Sequence, residues 1–374
     1  MGTAARLAAA GGLTLAATAL LAGPAAASTG TGPDGVVFVQ TDNPAGNTVV
    51  AYDRSSTGDL KPAGTFPTGG LGGVLDGSIV DHLASQGSLA LDRDAGLLYA
   101  VNAGSDTLTV FGVHGDRLVR RQVIATGGAF PVSVAVHGNL VYVLNARDGG
   151  SVQGYLRLAG TLIRIPAWHR ALGLDPTQAP EFTHTPGQVA FTPDGGKLVV
   201  TTKAGSNAID VFSVGLGGLS VTPMVTSLPG AVPFAVAFDP RGRLVVTEAG
   251  PNAVATFSVG RDGRLTAVAQ APTGQAATCW IAGTDRRFYV SNAGSGSVSG
   301  FRVAGDGTLA ALGNTATDPG TVDATVTPDG RFLYVQTGAN GVVDGYRIHA
   351  DGSLAPVGSV TVPGAAGGEG IASS

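Results

Sequence analysis

Short apolar runs with period-two alternation recur along most of the chain, separated by turns rich in Gly, Asp and Asn. That pattern predicts antiparallel strands joined by tight turns and leaves no room for a long helix. The fullest unit is Val326-Thr-Pro-Asp-Gly-Arg-Phe-Leu-Tyr-Val335, echoed by Phe191-Thr-Pro-Asp-Gly-Gly-Lys-Leu-Val-Val200 and Phe238-Asp-Pro-Arg-Gly-Arg-Leu-Val-Val246. Looser copies start at Leu91, Val136 and Ala282. Each reads as strand, turn, strand, because Asp and Gly tolerate the positive φ of hairpin turns. A small polar turn follows, as in Asn102-Ala-Gly-Ser and Asn292-Ala-Gly-Ser, and then a third strand such as Ala208-Ile-Asp-Val-Phe-Ser-Val. A weaker fourth strand closes the unit, as in Asp306-Gly-Thr-Leu-Ala-Ala-Leu.

The turn after the second strand falls at Thr41, Asn102, Asn145, Lys203, Glu248, Asn292 and Thr337, and the last four lie 45, 44 and 45 residues apart. Four strands in about 45 residues is the period of a propeller blade, so the chain is expected to be an all-β, seven-bladed β-propeller. The repeats span about 36–66, 86–126, 131–165, 187–226, 233–272, 279–316 and 322–362. Insertions near Pro67–Gln86 and Pro166–Pro186 lengthen two of the intervals. The first repeat lacks its first strand, and Gly368-Glu-Gly-Ile-Ala372 matches the start of one. A closing strand at 368–373 would complete blade one and remove the open edge of the array.

Composition adds an address. Arg6, an apolar run from about Leu7 to Gly23 and Ala25-Ala26-Ala27 read as a cleavable export signal at 1–27, so residues 28–374 are expected to be extracellular, with no membrane attachment after cleavage. Only 13% of residues are charged and the net charge is −4, which excludes the basic stripe a nucleic-acid partner needs. Cys279 is the single cysteine, so packing alone must hold the fold, without an internal disulfide. The histidines show no metal-ligand spacing, and a monomer without cofactor is the expectation.

The Pro-Asp-Gly-Arg-Phe-Leu-Tyr-Val unit, the Asn-Ala-Gly-Ser turns and Ser85-Gln86-Gly87-Ser88 resemble the bacterial lactonase-family propellers. These are related to the propeller-type 6-phosphogluconolactonase and to carboxymuconate cyclase, and their repeats are of the YVTN kind. The resemblance covers Val36–Ala372 and implies opening or closing of a lactone ring. Relatives of this kind carry an acidic residue where Glu248 stands, which the resemblance implies as a general base for water. Lys203, one blade earlier, is the candidate for steadying an oxyanion. His184 lies near the place of a family histidine, but it stands alone there, and Asn207-Ala208 replaces an expected Arg.

Both insertions and the polar turns converge on one face of the ring, which is where loops on a rigid scaffold present binding groups. Substrate-binding candidates there are Trp280, Gln188, Asn102, Asn145, Asn292, Asp323 and Gln86. Trp168 and Arg170, with His169, are candidates for a lid from the second insertion. Glu248, Asn145, Asn292 and Asp323 form an oxygen set that a calcium ion would accept, although no spacing requires one. The expected function is lactone hydrolysis. Alternative readings are a non-catalytic propeller binding a small molecule, carbohydrate or protein at the same face, and a structural envelope protein.

Overall fold

The repeated phrase folds as its turn chemistry dictates. In the Thr-Pro-Asp-Gly copies, the Asp carboxylate accepts the backbone N–H two residues on, Gly196 for Asp194 and Arg331 for Asp329. The preceding Thr hydroxyl donates to the same oxygen. The tyrosine of Leu-Tyr-Val explains why an amphipathic aromatic recurs there. Tyr334 is fully buried and donates its hydroxyl to Gly58 O of blade one, while Tyr289 reaches Gly352 O of blade seven. Each thus ties its blade to an outer hairpin of the next. Gly58 has φ +99, and a Cβ there would lie 2.4 Å from the Phe332 ring, so only glycine fits that approach.

The computed structural model describes residues 1–3 and 34–374. It is a seven-bladed β-propeller of antiparallel blades. The first strands of blades two to seven lie innermost: Leu89–Asp92, Pro131–His137, Gln188–Phe191, Pro233–Phe238, Thr278–Thr284 and Thr321–Val326. Blade one takes its innermost strand from the C-terminus. Ile371–Ser373 pairs antiparallel with Gly35–Gln40, in register Val37↔Ser373, Phe38↔Ala372 and Val39↔Ile371. The ring is therefore closed as the sequence implies. The core lies between blades: Val37, Tyr52, Tyr334 and Ile371, for example, join blades one and seven in one cluster.

The expected export signal at 1–27 falls, apart from residues 1–3, outside the described residues. Among the described residues, no helix is long and apolar enough to cross a membrane. The second insertion differs from its expected bounds. The outer strand of blade three runs Thr161–Ala171, so Trp168, His169 and Arg170 are strand residues. Trp168 stacks on Tyr142, and Arg170 donates to Ser220 O in blade four. Cross-strand packing at the outer edge has captured the segment read as a lid. The loop proper is 172–187, with a one-turn helix at Glu181–His184.

Candidate functional site

The first insertion does not hang over the ring. It crosses the axis and plugs it. Gln86 makes a reciprocal pair with Ile281 of blade six: its Nε2 donates to Ile281 O and its Oε1 accepts from Ile281 N, each at 2.8 Å. Its own N–H donates to Gly187 O beside blade four. Ser85 Oγ donates to Val132 O of blade three, and Trp280 Nε1 donates to Ser85 O. His82 N donates to Gly367 O ahead of the closing strand. Tied to blades three and six and to the segment before the closing strand, residues 82–86 are a fixed part of the scaffold.

Four carboxyl groups, Asp42, Asp81, Asp323 and Glu369, are buried around this plug. Asp42 accepts from Glu369 N at 2.8 Å and from the Gln40 amide. Glu369 accepts from Ser85 Oγ and from Ser88 N. Asp81 accepts from Leu83 N at 2.9 Å and Ser85 N at 3.0 Å, which shapes the turn of the plug. Asp323 accepts from Ala324 N. Burial raises all four groups above the ordinary carboxylate range, and repulsion from neighbouring carboxylates adds to it for Asp42, Asp323 and Glu369. Asp42 is pushed up to about 8, Asp323 to about 7 and Asp81 to about 6, with Glu369 well above its usual value. Because Asp42, Asp323 and Glu369 repel one another's charge, ionising one makes the next harder to ionise.

Lys203 is the cation of this neighbourhood and is itself 1% exposed. Burial pushes its ammonium down to about 7, against the opposing pull of Asp81. Its three N–H groups are all spent, on Ala84 O at 2.6 Å, Phe182 O at 2.5 Å and Thr185 Oγ1 at 3.0 Å. Lys203 thus clamps the plug to the short helix and has no donor left for a substrate oxygen.

Above the clamp lies a pocket of about 310 Å³. Ser78–Asp81 and Ala84 of the plug form one wall, Phe182 of the helix another. Phe234, Ala277, Cys279, Trp280, Ala293 and Gly294 of blades five and six complete it. Phe234 and Trp280 meet edge to face with centroids 5.0 Å apart, and Lys203 Nζ lies 5.5 Å from the Phe234 centroid. The pocket's polar side chains are those of Asp81 and Ser78, whose buried hydroxyl has no partner. Cys279 is no nucleophile here, since burial raises its thiol to about 12. Two lining residues, Ala84 and Ala277, have φ of +47 and +55, costly for residues with a Cβ.

The residues expected at the site do not come together in one cavity. Trp280 lines the pocket, while Gln86, Lys203 and Asp323 belong to the plug and the buried charges beneath it. Asn102, Asn145 and Asn292 are fully buried braces at the end of second strands. Asn102 Nδ2 bonds Thr107 and Thr109, Asn292 Nδ2 bonds Ser297 and Ser299, and Asn145 Nδ2 bonds Ser151. Glu248 occupies the same brace position: its carboxylate accepts from Gln270 of the outer strand, and burial raises its pKa. It does not line the pocket. Gln188 Oε1 accepts from Val236 N, joining the inner strands of blades four and five.

His184 lies on the other side of the short helix, in a polar cleft of about 160 Å³ with Arg147, Asp175 and Glu181. Its Nδ1 contacts Thr183 Oγ1 and Pro180 O. Among the described residues, no group of three or more His, Cys, Asp or Glu is arranged to hold a metal. Asp81, Phe182 and Phe234 were not singled out by the repeat pattern. Two signals for them were present: an Asp81-His82 pair in an otherwise uncharged part of the insertion, and an aromatic just after Pro233 at an inner-strand start.

Comparison with known proteins agrees with this architecture. The model of the family described as Lactonase, 7-bladed beta-propeller matches residues 244–368. No curated protein matches the chain. The structure is similar to the periplasmic gluconolactonase of Pseudomonas aeruginosa, at TM-score 0.72 and 18% identity, over 91% of this chain and 98% of that one. It is similar also to a Bacteroides fragilis protein provisionally described as a 6-phosphogluconolactonase, at TM-score 0.70 and 18% identity over 91% and 98% of the two chains. A Lactobacillus plantarum protein gives TM-score 0.71 at 21% identity, with coverage of 91% and 98%. At these identities the shared feature is the lactonase-like propeller fold.

Proposed function

We propose that this lactonase-like propeller hydrolyses a lactone in the pocket above the plug, with Asp81 as the general base. The observation that carries the reading is a single carboxylate, raised by burial to about 6, in the wall of an otherwise apolar chamber. A base of that strength is ionised at neutral pH yet strong enough to take a proton from water in the transition state. Two backbone N–H groups fix its position, and each carboxylate oxygen keeps a second lone pair for the water.

In the reaction, the water oxygen forms a bond to the lactone carbonyl carbon as Asp81 takes its proton. The ring C–O bond then breaks, and the proton passes from Asp81 to the departing alkoxide. The backbone N–H groups of Leu83 and Ser85 favour the ionised form of Asp81, and the field of Lys203, which does not touch the substrate, adds to them. The expected export signal puts this chemistry outside the cytoplasm.

A panel of γ- and δ-lactones followed by acid release tests the reading. Asp81→Asn keeps an oxygen for Leu83 N but turns an amide NH2 toward Ser85 N, so it is expected to lower the melting temperature while the ring stays folded by circular dichroism, and to lower kcat/KM by about 10²- to 10⁴-fold. The parent's rate should rise with pH through about 6, because only ionised Asp81 is a base. An Asp81→Asn protein as active as the parent, or a rate flat from pH 5 to 8, would remove Asp81 from the role.

A further inference from the structure

We infer that the lactone taken by this pocket is uncharged and carries an alkyl or aryl substituent, and that sugar lactones and phosphorylated lactones are excluded. The inference rests on the reading of the pocket as the ring-opening site and names its substrate class. Apart from Ser78 and Asp81, every residue of the wall is apolar or glycine. Trp280 turns its one polar atom away, to Ser85 O, and so offers the chamber only ring carbon. A polyhydroxylated ring would therefore leave most of its hydroxyls without partners, which costs far more than a missing methylene.

Negative charge is disfavoured twice. No cationic donor is free, since the three N–H groups of Lys203 are committed to Ala84, Phe182 and Thr185. Asp81 stands in the wall itself, and a phosphate or carboxylate would meet its carboxylate across the chamber. What the chamber does offer is an edge-to-face aromatic pair, Phe234 and Trp280, faced by Phe182 and Val80. Ile79, at 86% exposure, stands at its rim as an apolar side chain with nothing yet to cover. A volume of about 310 Å³ is at the small end of ligand pockets and suits a ring with a short chain.

The test is a series of alkyl γ-lactones of increasing chain length, with gluconolactone and its 6-phosphate as polar and anionic arms. kcat/KM is expected to climb about fourfold per methylene until the chamber is full. Both sugar lactones should be at least about 100-fold poorer than the best alkyl lactone. Ile79→Asp, at an exposed position, should flatten the series without unfolding the ring. The matching alkyl lactams, which resist hydrolysis, are titrated in parallel against tryptophan fluorescence. Lactams that bind more tightly with chain length, with no lactone opened, would uphold the apolar site and sink the hydrolase. Lactones opened without regard to chain length, or gluconolactone preferred, would overturn the inference and leave the hydrolase standing. Lactams that bind equally at every length would overturn it whatever the turnover.

Discussion

Replacing Asp323 by Asn should make the protein more stable at pH 8 and leave it no more stable at pH 4.5. Asp323 is 3% exposed and its carboxyl is pushed from 3.8 to about 7 by burial, with repulsion from Asp81 adding to it. A carboxyl whose folded pKa lies above its unfolded value contributes stability that is fully present below the unfolded pKa. That contribution is lost as pH rises through the folded pKa, here between about 4 and about 7. The shift from 3.8 to about 7 is about three units, and at about 1.4 kcal/mol each the loss is about 4 kcal/mol. Asparagine cannot ionise and keeps an oxygen for the Ala324 N–H, so it removes the loss at the cost of the second backbone bond, from Ile371, that the carboxylate accepts. Glu369 and Asp42 both feel Asp323 as a repelling charge, so the substitution relieves them as well. Because ionising one of these groups makes the next harder to ionise, the net change in the mutant-minus-parent difference should be about 2–4 kcal/mol across the window. Urea unfolding at pH 4.5, 6, 7 and 8.5 measures it. Parallel stability profiles for the two proteins would refute the argument that these carboxyls are forced to ionise in a buried setting.

Two further perturbations probe the frame around the site. Deleting Glu369–Ser374 strips blade one of its inner strand and the plug of its Glu369 acceptor, and should cost more than any single core side chain, over about 4 kcal/mol by thermal melting; a melting curve like the parent's would disprove the closure. Lys203→Met removes the cation that lowers Asp81, so the rising limb of the pH–rate profile should move above pH 6, and an unmoved limb would mean that Lys203 exerts no field on the base.

The repeats were legible because what fixes them is local. A Pro-Asp-Gly turn carries its own capping bond, and a buried Tyr in the second strand marks the interface between blades. Closure was legible for the same reason, as a missing strand at one end and a spare one at the other. The pocket was not. Its walls come from residues 78–84, 182, 234 and 277–294, which share no period and meet only because the insertion crosses the axis. The turn positions alone do not show where their side chains go. Strand alternation aims Asn102, Asn292 and Glu248 back along their own blade, where third- and fourth-strand hydroxyls and amides receive them. Lys203 was legible as an unusual residue at a turn, but its spent donors depend on carbonyls at Ala84 and Phe182, far away in sequence.

The plug also sets a timetable. Its hydrogen bonds run forward along the chain from residues 82–86 to Val132, Gly187, Ile281, Gly367 and Glu369. During synthesis the plug emerges after the first blade, yet its last partners follow some 280 residues later, with Ser85 to Glu369 separated by 284 positions. The chamber therefore cannot reach its final shape on a nascent chain, and no fragment lacking the C-terminal segment can carry it complete. A ligand seated against Trp280, as proposed, would in this sense certify completion, since it would need a ring closed by its C-terminal strand.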